Sequence, residues 1–167
     1  KRSIARNADT GADVCFVEIG GTIGDIESQP FLQAIRQFAI EYGRENCLFI
    51  HVTLVPYLAA SDELKSKPTQ HSVKEMLALG IQPDIIVCRT EHPLTEDIRR
   101  KIALFCNVSK ECVIENNNCD VLYAVPIMLH KEGLDDVVIN RLGLKCAQPD
   151  LKDWEAMLEA LRNPERT

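Results

Sequence analysis

Asp84-Ile85-Ile86-Val87-Cys88 is apolar at every position after its opening acid, and a run so short and so rich in β-branched residues reads as a buried strand. Working outward, His51-Val52-Thr53-Leu54-Val55 and Val14-Cys15-Phe16-Val17-Glu18-Ile19, the latter ending in Gly20-Gly21, repeat that texture. Three strands are therefore expected. The segments between them carry helical period. Over 30–42, Phe31, Ile35, Phe38 and Tyr42 are spaced for one face, and over 69–79 Val73, Met76 and Leu77 are. Apolar strands alternating with helices predict an α/β fold, a parallel sheet flanked by helices whose ligands sit beyond the carboxyl ends of the strands.

A further helix is expected over 94–105. After Val108 the pattern loosens through Asn116-Asn117-Asn118, until a last helix over 151–161. Asp150 reads as its N-cap, Asp153 lies in its first turn, and Asn163-Pro164 closes it. No internal repeat or low-complexity tract interrupts the chain.

Composition narrows the class. A chain of 167 residues, 46% hydrophobic, fits a single domain with a substantial core. The longest apolar stretch, 47–60, is broken by His51, Thr53 and Pro56 and falls short of the roughly 20 residues a membrane span needs. The basic opening Lys1-Arg2-Ser3-Ile4-Ala5-Arg6 is not followed by the apolar region of a signal peptide, so a cytoplasmic location is expected. Seven cysteines without a C-x-x-C pair argue against a disulfide or zinc framework. Cys15, Cys47, Cys88 and Cys106 sit in apolar runs, where a thiol serves as a small hydrophobe. A net charge of −6 weighs against a nucleic-acid surface.

Three constellations could carry chemistry. In Glu18-Ile19-Gly20-Gly21-Thr22-Ile23-Gly24-Asp25-Ile26-Glu27, an acid at a strand's end precedes glycines that let a ligand approach the backbone. That suits Mg²⁺, and it equally suits a glycine turn whose acids offset the next helix's dipole. Lys65-Ser66-Lys67-Pro68-Thr69-Gln70-His71-Ser72 opens a helix with Pro68 near its first turn. Its lysines, hydroxyls, amide and N–H groups could surround a triphosphate, or the stretch is a solvated basic loop. His71 alone reads as a capping or packing residue. In Arg99-Arg100-Lys101, the arginines read as a solvated helix face, while Lys101 abuts an apolar run. Arg89, directly after a strand, stands where the substrates of such sheets sit. The sequence contains no G-x-x-x-x-G-K-[ST] phosphate loop, and it opens as though within a domain.

Taken together, the 17–28, 65–75 and 80–89 strings, with 101–108, resemble the synthetase region of CTP synthases, the similarity running from about Asp13 to Trp154. The resemblance implies a Rossmann-like domain of the P-loop amidoligase class, with 1–167 a single partial domain and 150–167 a helix leading towards a glutaminase domain. It implies an activity in which ATP phosphorylates O4 of UTP and glutamine-derived ammonia displaces the phosphate to give CTP, also the feedback inhibitor, in a homo-oligomer, a tetramer in the parent. By motif, Glu18 would hold Mg²⁺, and Asp25, Ile26 and Glu27 would contact the base or ribose side of UTP or CTP. Lys65, Ser66, Lys67, Pro68, Thr69, Gln70 and Lys101 would hold its triphosphate. Asn117, Asn118 and Cys119, with Arg89, would contact ATP, the loop mainly through backbone.

Phosphoryl transfer rests on positioning and charge neutralisation, so no protein nucleophile or catalytic triad is expected. Two other readings stay open. One is an amidoligase for a carboxylic acid or a corrinoid, against which the 65–70 string argues. The other is a non-catalytic UTP- or CTP-binding oligomerisation module. Without a phosphate loop, the chain alone is expected to make no CTP.

Overall fold

The structure is a computed structural model that describes residues 1–8 and 11–163. After α1 (Arg2–Ala8) and α2 (Gln29–Tyr42) come β1 (Ile50–Leu54), a small hairpin of β2 (Tyr57–Leu58) and β3 (Glu63–Leu64), and α3 (Lys67–Ala78). There follow β4 (Ile85–Thr90), α4 (Glu96–Cys106), β5 (Val113–Asn117), α5 (Val125–Lys131), α6 (Leu134–Leu142) and α7 (Lys152–Arg162). The main sheet has the order β1-β4-β5. Both pairings are parallel, running from Ile50 against Ile85 to Leu54 against Arg89, and from Ile86 against Val113 to Thr90 against Asn117.

Strand alternation distributes the core. Ile86, Cys88 and Val113 point to one side, where Val73 of α3 and Ile102, Ala103 and Cys106 of α4 close over them. Ile85, Val87 and Ile114 point to the other and meet Leu129 of α5 with Leu134, Val137 and Val138 of α6. The middle strand β4 is thus covered on both faces, as its uniform apolarity predicts. The outer strand β1 is covered on one: His51 and Thr53 face α3, while Ile50, Val52 and Leu54 are exposed.

Local chemistry sets the helix ends. Thr95 caps α4, its hydroxyl accepting the Ile98 N–H at 3.3 Å, with Glu96 and Asp97 in the first turn. Asn107, at φ 55°, ends the same helix in the left-handed conformation that asparagine tolerates. Pro68 stands in the first turn of α3 as expected.

Several expectations need correction. No strand forms over 14–19: Phe16 is 84% exposed and Val17 48%. Strand propensity is realised only where a neighbour supplies a ladder and a face, and the described residues give this run neither. The inward face of α2 carries Leu32 and Ala39, which are buried, while Phe31 and Tyr42 are exposed. Leu32 packs with Met76 and Ile81, and Ile35, one of the four residues read, packs against them. The inward face thus keeps Ile35 but is centred on Leu32 and Ala39 rather than on Phe31 and Tyr42. Leu77 of α3 is likewise exposed. At α7, Leu151 takes the N-cap position; the Asp150 carboxylate still accepts the Lys152 N–H at 3.2 Å. Pro164 lies outside the described residues. All seven cysteines are free, but Cys15 is exposed rather than packed.

Candidate functional site

Beyond the carboxyl end of β1 the chain passes through the β2–β3 hairpin and delivers Lys65 to the start of α3. The Lys65 N–H is fixed to the Pro56 carbonyl at 2.9 Å, and its ammonium pairs with the Glu63 carboxylate. That ion pair, a bond from Ser61 and, further off, the charge of Lys101 hold the Glu63 carboxyl below its ordinary range. Lys101 lies one βα unit later, on α4, which packs against α3. Two lysines distant in sequence thus lie on adjoining helical units, Lys65 paired with the exposed Glu63 carboxylate and Lys101 acting on it from further off. Lys67 and Pro68 are exposed beside them on the first turn of α3.

The hydroxyls of this string point elsewhere. Thr69 is fully buried; its Oγ1 donates to the Leu54 carbonyl at 3.1 Å and lies 3.0 Å from Thr53 Oγ1. Ser66, also buried, accepts a bond from Gln70 Nε2 at 3.0 Å. What the helix start leaves open to a ligand is charge and backbone N–H, a combination suited to phosphate. His71 is exposed, 3.9 Å from Glu75 one turn on.

At the ends of β4 and β5, Arg89 reaches over to the next strand. One guanidinium nitrogen donates to the Asn116 and Asn117 carbonyls at 3.2 and 3.1 Å, and the other to Asn118 Oδ1 at 3.1 Å. Arg89, Asn117 and Asn118 are thus brought together, with the half-buried Cys119 next in the chain. The side-chain carbonyls of Asn116 and Asn117 are buried without a hydrogen-bond partner.

The glycine-rich stretch forms a third patch, a hollow of about 310 Å³ lined by Glu18, Gly20, Gly21, Asp25, Glu27 and Phe31. Asp25 shapes the turn: its carboxylate accepts the Thr22 N–H at 2.8 Å. Gly21 holds φ at +90°, and a side chain there would come within 3.3 Å of that carboxylate. Ile26 is exposed beside it. Mg²⁺ takes one or two carboxylates and completes its shell with phosphate and water. Glu18 offers one exposed carboxylate in this lining, and no three His, Cys, Asp or Glu groups enclose a metal among the described residues. Among those residues no hydrogen bond or ion pair joins the three patches to one another.

Sequence reading missed the polar centre behind the β5 edge. Arg99, expected to be solvated, is mostly buried: it donates to the Val113 carbonyl and to Glu132 at 3.0 Å, and lies 3.6 Å from Glu115. Glu115 also accepts the Leu94 N–H at 2.6 Å. Arg100 does face solvent, in weak helical pairs with Glu96 and Asp97. Val113-Ile114 was the available signal for β5; the Arg99–Glu132 pair, separated by 33 positions, left none.

A parallel sheet with helices on both faces, and with charge and an asparagine loop gathered past its carboxyl ends, defines a Rossmann-like α/β unit. Residues 1–144 match the family described as CTP synthase N-terminus. The CTP synthase of Ruminiclostridium cellulolyticum is 60% identical over 152 residues, 91% of this chain and 28% of that protein. The CTP synthase of Symbiobacterium thermophilum is 57% identical over 166 residues, 99% of this chain and 30% of that protein. The chain belongs to the CTP synthase N-terminal family. It spans under a third of the length of these curated relatives. No helix among the described residues is long and apolar enough to cross a membrane.

Proposed function

We propose that this chain is the nucleotide-binding part of an enzyme that aminates UTP to CTP with ATP, Mg²⁺ and glutamine-derived ammonia, in a homo-oligomer completed by a glutaminase domain. The observation that carries the reading is the cationic, open start of α3, where Lys65 pairs with Glu63, Lys67 is exposed and the adjoining helix α4 carries Lys101. A triphosphate entering there would displace Glu63 as the partner of Lys65 and draw in Lys101, and each charge-assisted bond contributes roughly 1.5–3 kcal/mol. Because UTP and CTP share the triphosphate, product and substrate compete for the same lysines. Asp25, Ile26 and Glu27 serve the base or ribose side, the 117–119 loop serves ATP, and Glu18 is the Mg²⁺ ligand. When bound, Mg²⁺ neutralises phosphate charge; the protein's own part is to orient the two nucleotides. The chain by itself makes no CTP, since its sequence holds no phosphate loop of the G-x-x-x-x-G-K-[ST] form.

The test is Lys65→Ala and Lys101→Ala in a full-length enzyme carrying this sequence. Each should raise the UTP requirement roughly tenfold or more, as loss of one such bond implies, and should relieve CTP inhibition in parallel, with glutamine hydrolysis retained. Weakened UTP binding with unchanged CTP inhibition would separate the two sites and overturn the shared-pocket reading.

A further inference from the structure

The loop between β5 and α5 is gripped from two sides. From the sheet, Arg89 holds its first residues through the Asn116 and Asn117 carbonyls and Asn118 Oδ1. From outside, α7 holds the rest. Arg162, the last residue of α7, makes a two-pronged ion pair with Asp120, at 2.8 and 2.9 Å. Trp154, in its first turn, donates Nε1–H to the Tyr123 carbonyl at 2.7 Å and sets its ring 6.2 Å from that of Tyr123. Leu158, between them, is buried. At 1.5 Å per residue, the two ties are about 12 Å apart along the helix, so α7 lies along the loop like a splint. Cys119, half-buried, sits between the two grips.

We propose that α7 is a clasp for this loop, and that Arg162 and Trp154 are positioning residues for an adenine nucleotide bound at Asn117, Asn118 and Cys119. The proposal rests on the adenine-nucleotide reading of those residues given above. Recognition through backbone groups demands a fixed loop, because a ligand that must order its own site loses affinity in proportion. Arg89 fixes only the start of the loop, and the outer grip decides whether residues 119–123 hold the same shape. The ion pair is exposed, yet its forked geometry is the strong form of such contacts, and Arg162 holds the Asp120 carboxyl down to about 2.

The experiment uses the whole chain with Arg162→Gln, Arg162→Lys and Asp120→Asn. Hydrogen exchange reads the loop, and the emission of Trp154, the only tryptophan, reads the docking of α7. ATP affinity is followed by ligand-observed NMR, with UTP as the control. Arg162→Gln and Asp120→Asn should speed exchange over 117–123, red-shift Trp154, and weaken ATP roughly three- to fivefold, the scale of an exposed ion pair. Arg162→Lys should lose less, and UTP binding should hold. Far-UV circular dichroism confirms folding, and the two single variants stand in for one another if one misfolds. The clasp is overturned if Trp154 emission shifts while loop exchange stays at the wild-type rate. It is equally overturned if the loop loosens and ATP affinity does not change. If the wild-type chain gives no ATP signal, the adenine reading fails, and with it the positioning role, while exchange still decides whether α7 holds the loop.

Discussion

The Thr69 hydroxyl stands 3.0 Å from that of Thr53 and donates to the Leu54 carbonyl, bolting the first turn of α3 to the end of β1. A residue within the proposed triphosphate string therefore works inward, holding the helix start at the sheet edge where the neighbouring lysines are useful. Thr69→Val keeps the volume and removes the donor. It should cost about 1–3 kcal/mol in urea unfolding, the penalty for leaving buried polar partners unmet, with pyrimidine nucleotide affinity retained by the folded fraction. An unchanged urea midpoint would make the bond dispensable.

Arg99 couples α4, on one face of the sheet, to Glu132 beyond α5 on the other. Arg99→Met should destabilise the fold by about 3 kcal/mol, because it strands the mostly buried Glu115 and Glu132 carboxylates. Adding Glu132→Gln should recover part of that loss, a non-additivity that a double-mutant cycle in urea detects. Strict additivity would mean the two groups act independently.

His51 of β1 lies 2.8 Å from Ser72 of α3, and burial pushes its imidazole below the ordinary value of 6.5. The folded chain therefore resists a proton that the unfolded chain accepts. Stability from this group is complete above pH 6.5 and is lost as pH falls from 6.5 through the lower folded value. Urea midpoints measured at about pH 7.5 and about pH 5.5 should drop on acidification, and His51→Gln should show a smaller drop. An equal drop in the variant would assign the effect to other groups.

Glu18→Gln in the full-length enzyme tests the metal role. If Glu18 holds Mg²⁺, turnover should fall by a factor equivalent to several kcal/mol of transition-state stabilisation, with UTP binding intact by equilibrium dialysis. Near-normal turnover at limiting Mg²⁺ would reduce Glu18 to a carboxylate of the turn.

What could be read from the sequence follows from how local each cause is. β4 and its flanking helices were legible because burial on both faces leaves an uninterrupted apolar run and helices of clear period. The 14–19 run has the same texture, but texture states a preference and not a partner. The partial error in the face of α2 has a similar origin: Phe31 and Tyr42 fit the period alongside Ile35, and tertiary packing kept Ile35 but chose Leu32 and Ala39 over the two aromatics. At the site, the lysines announced themselves by charge beside a helix start. The inward turn of Thr69, the burial of Arg99 and the Asp120–Arg162 tie depend on contacts across 15 to 42 positions, for which no local signal exists.

The position of β4 between its two partners also shapes how the chain reaches this state. Ile85 must find Ile50 across 35 positions, and Val113 must find Ile86 across 27. By chain entropy the two closures differ by only about 0.2 kcal/mol, so neither half of the sheet has a head start. Folding should then proceed through a nucleus centred on the middle strand, with α3 and α4 drawn in from either side, on the slow timescale that non-local pairing imposes.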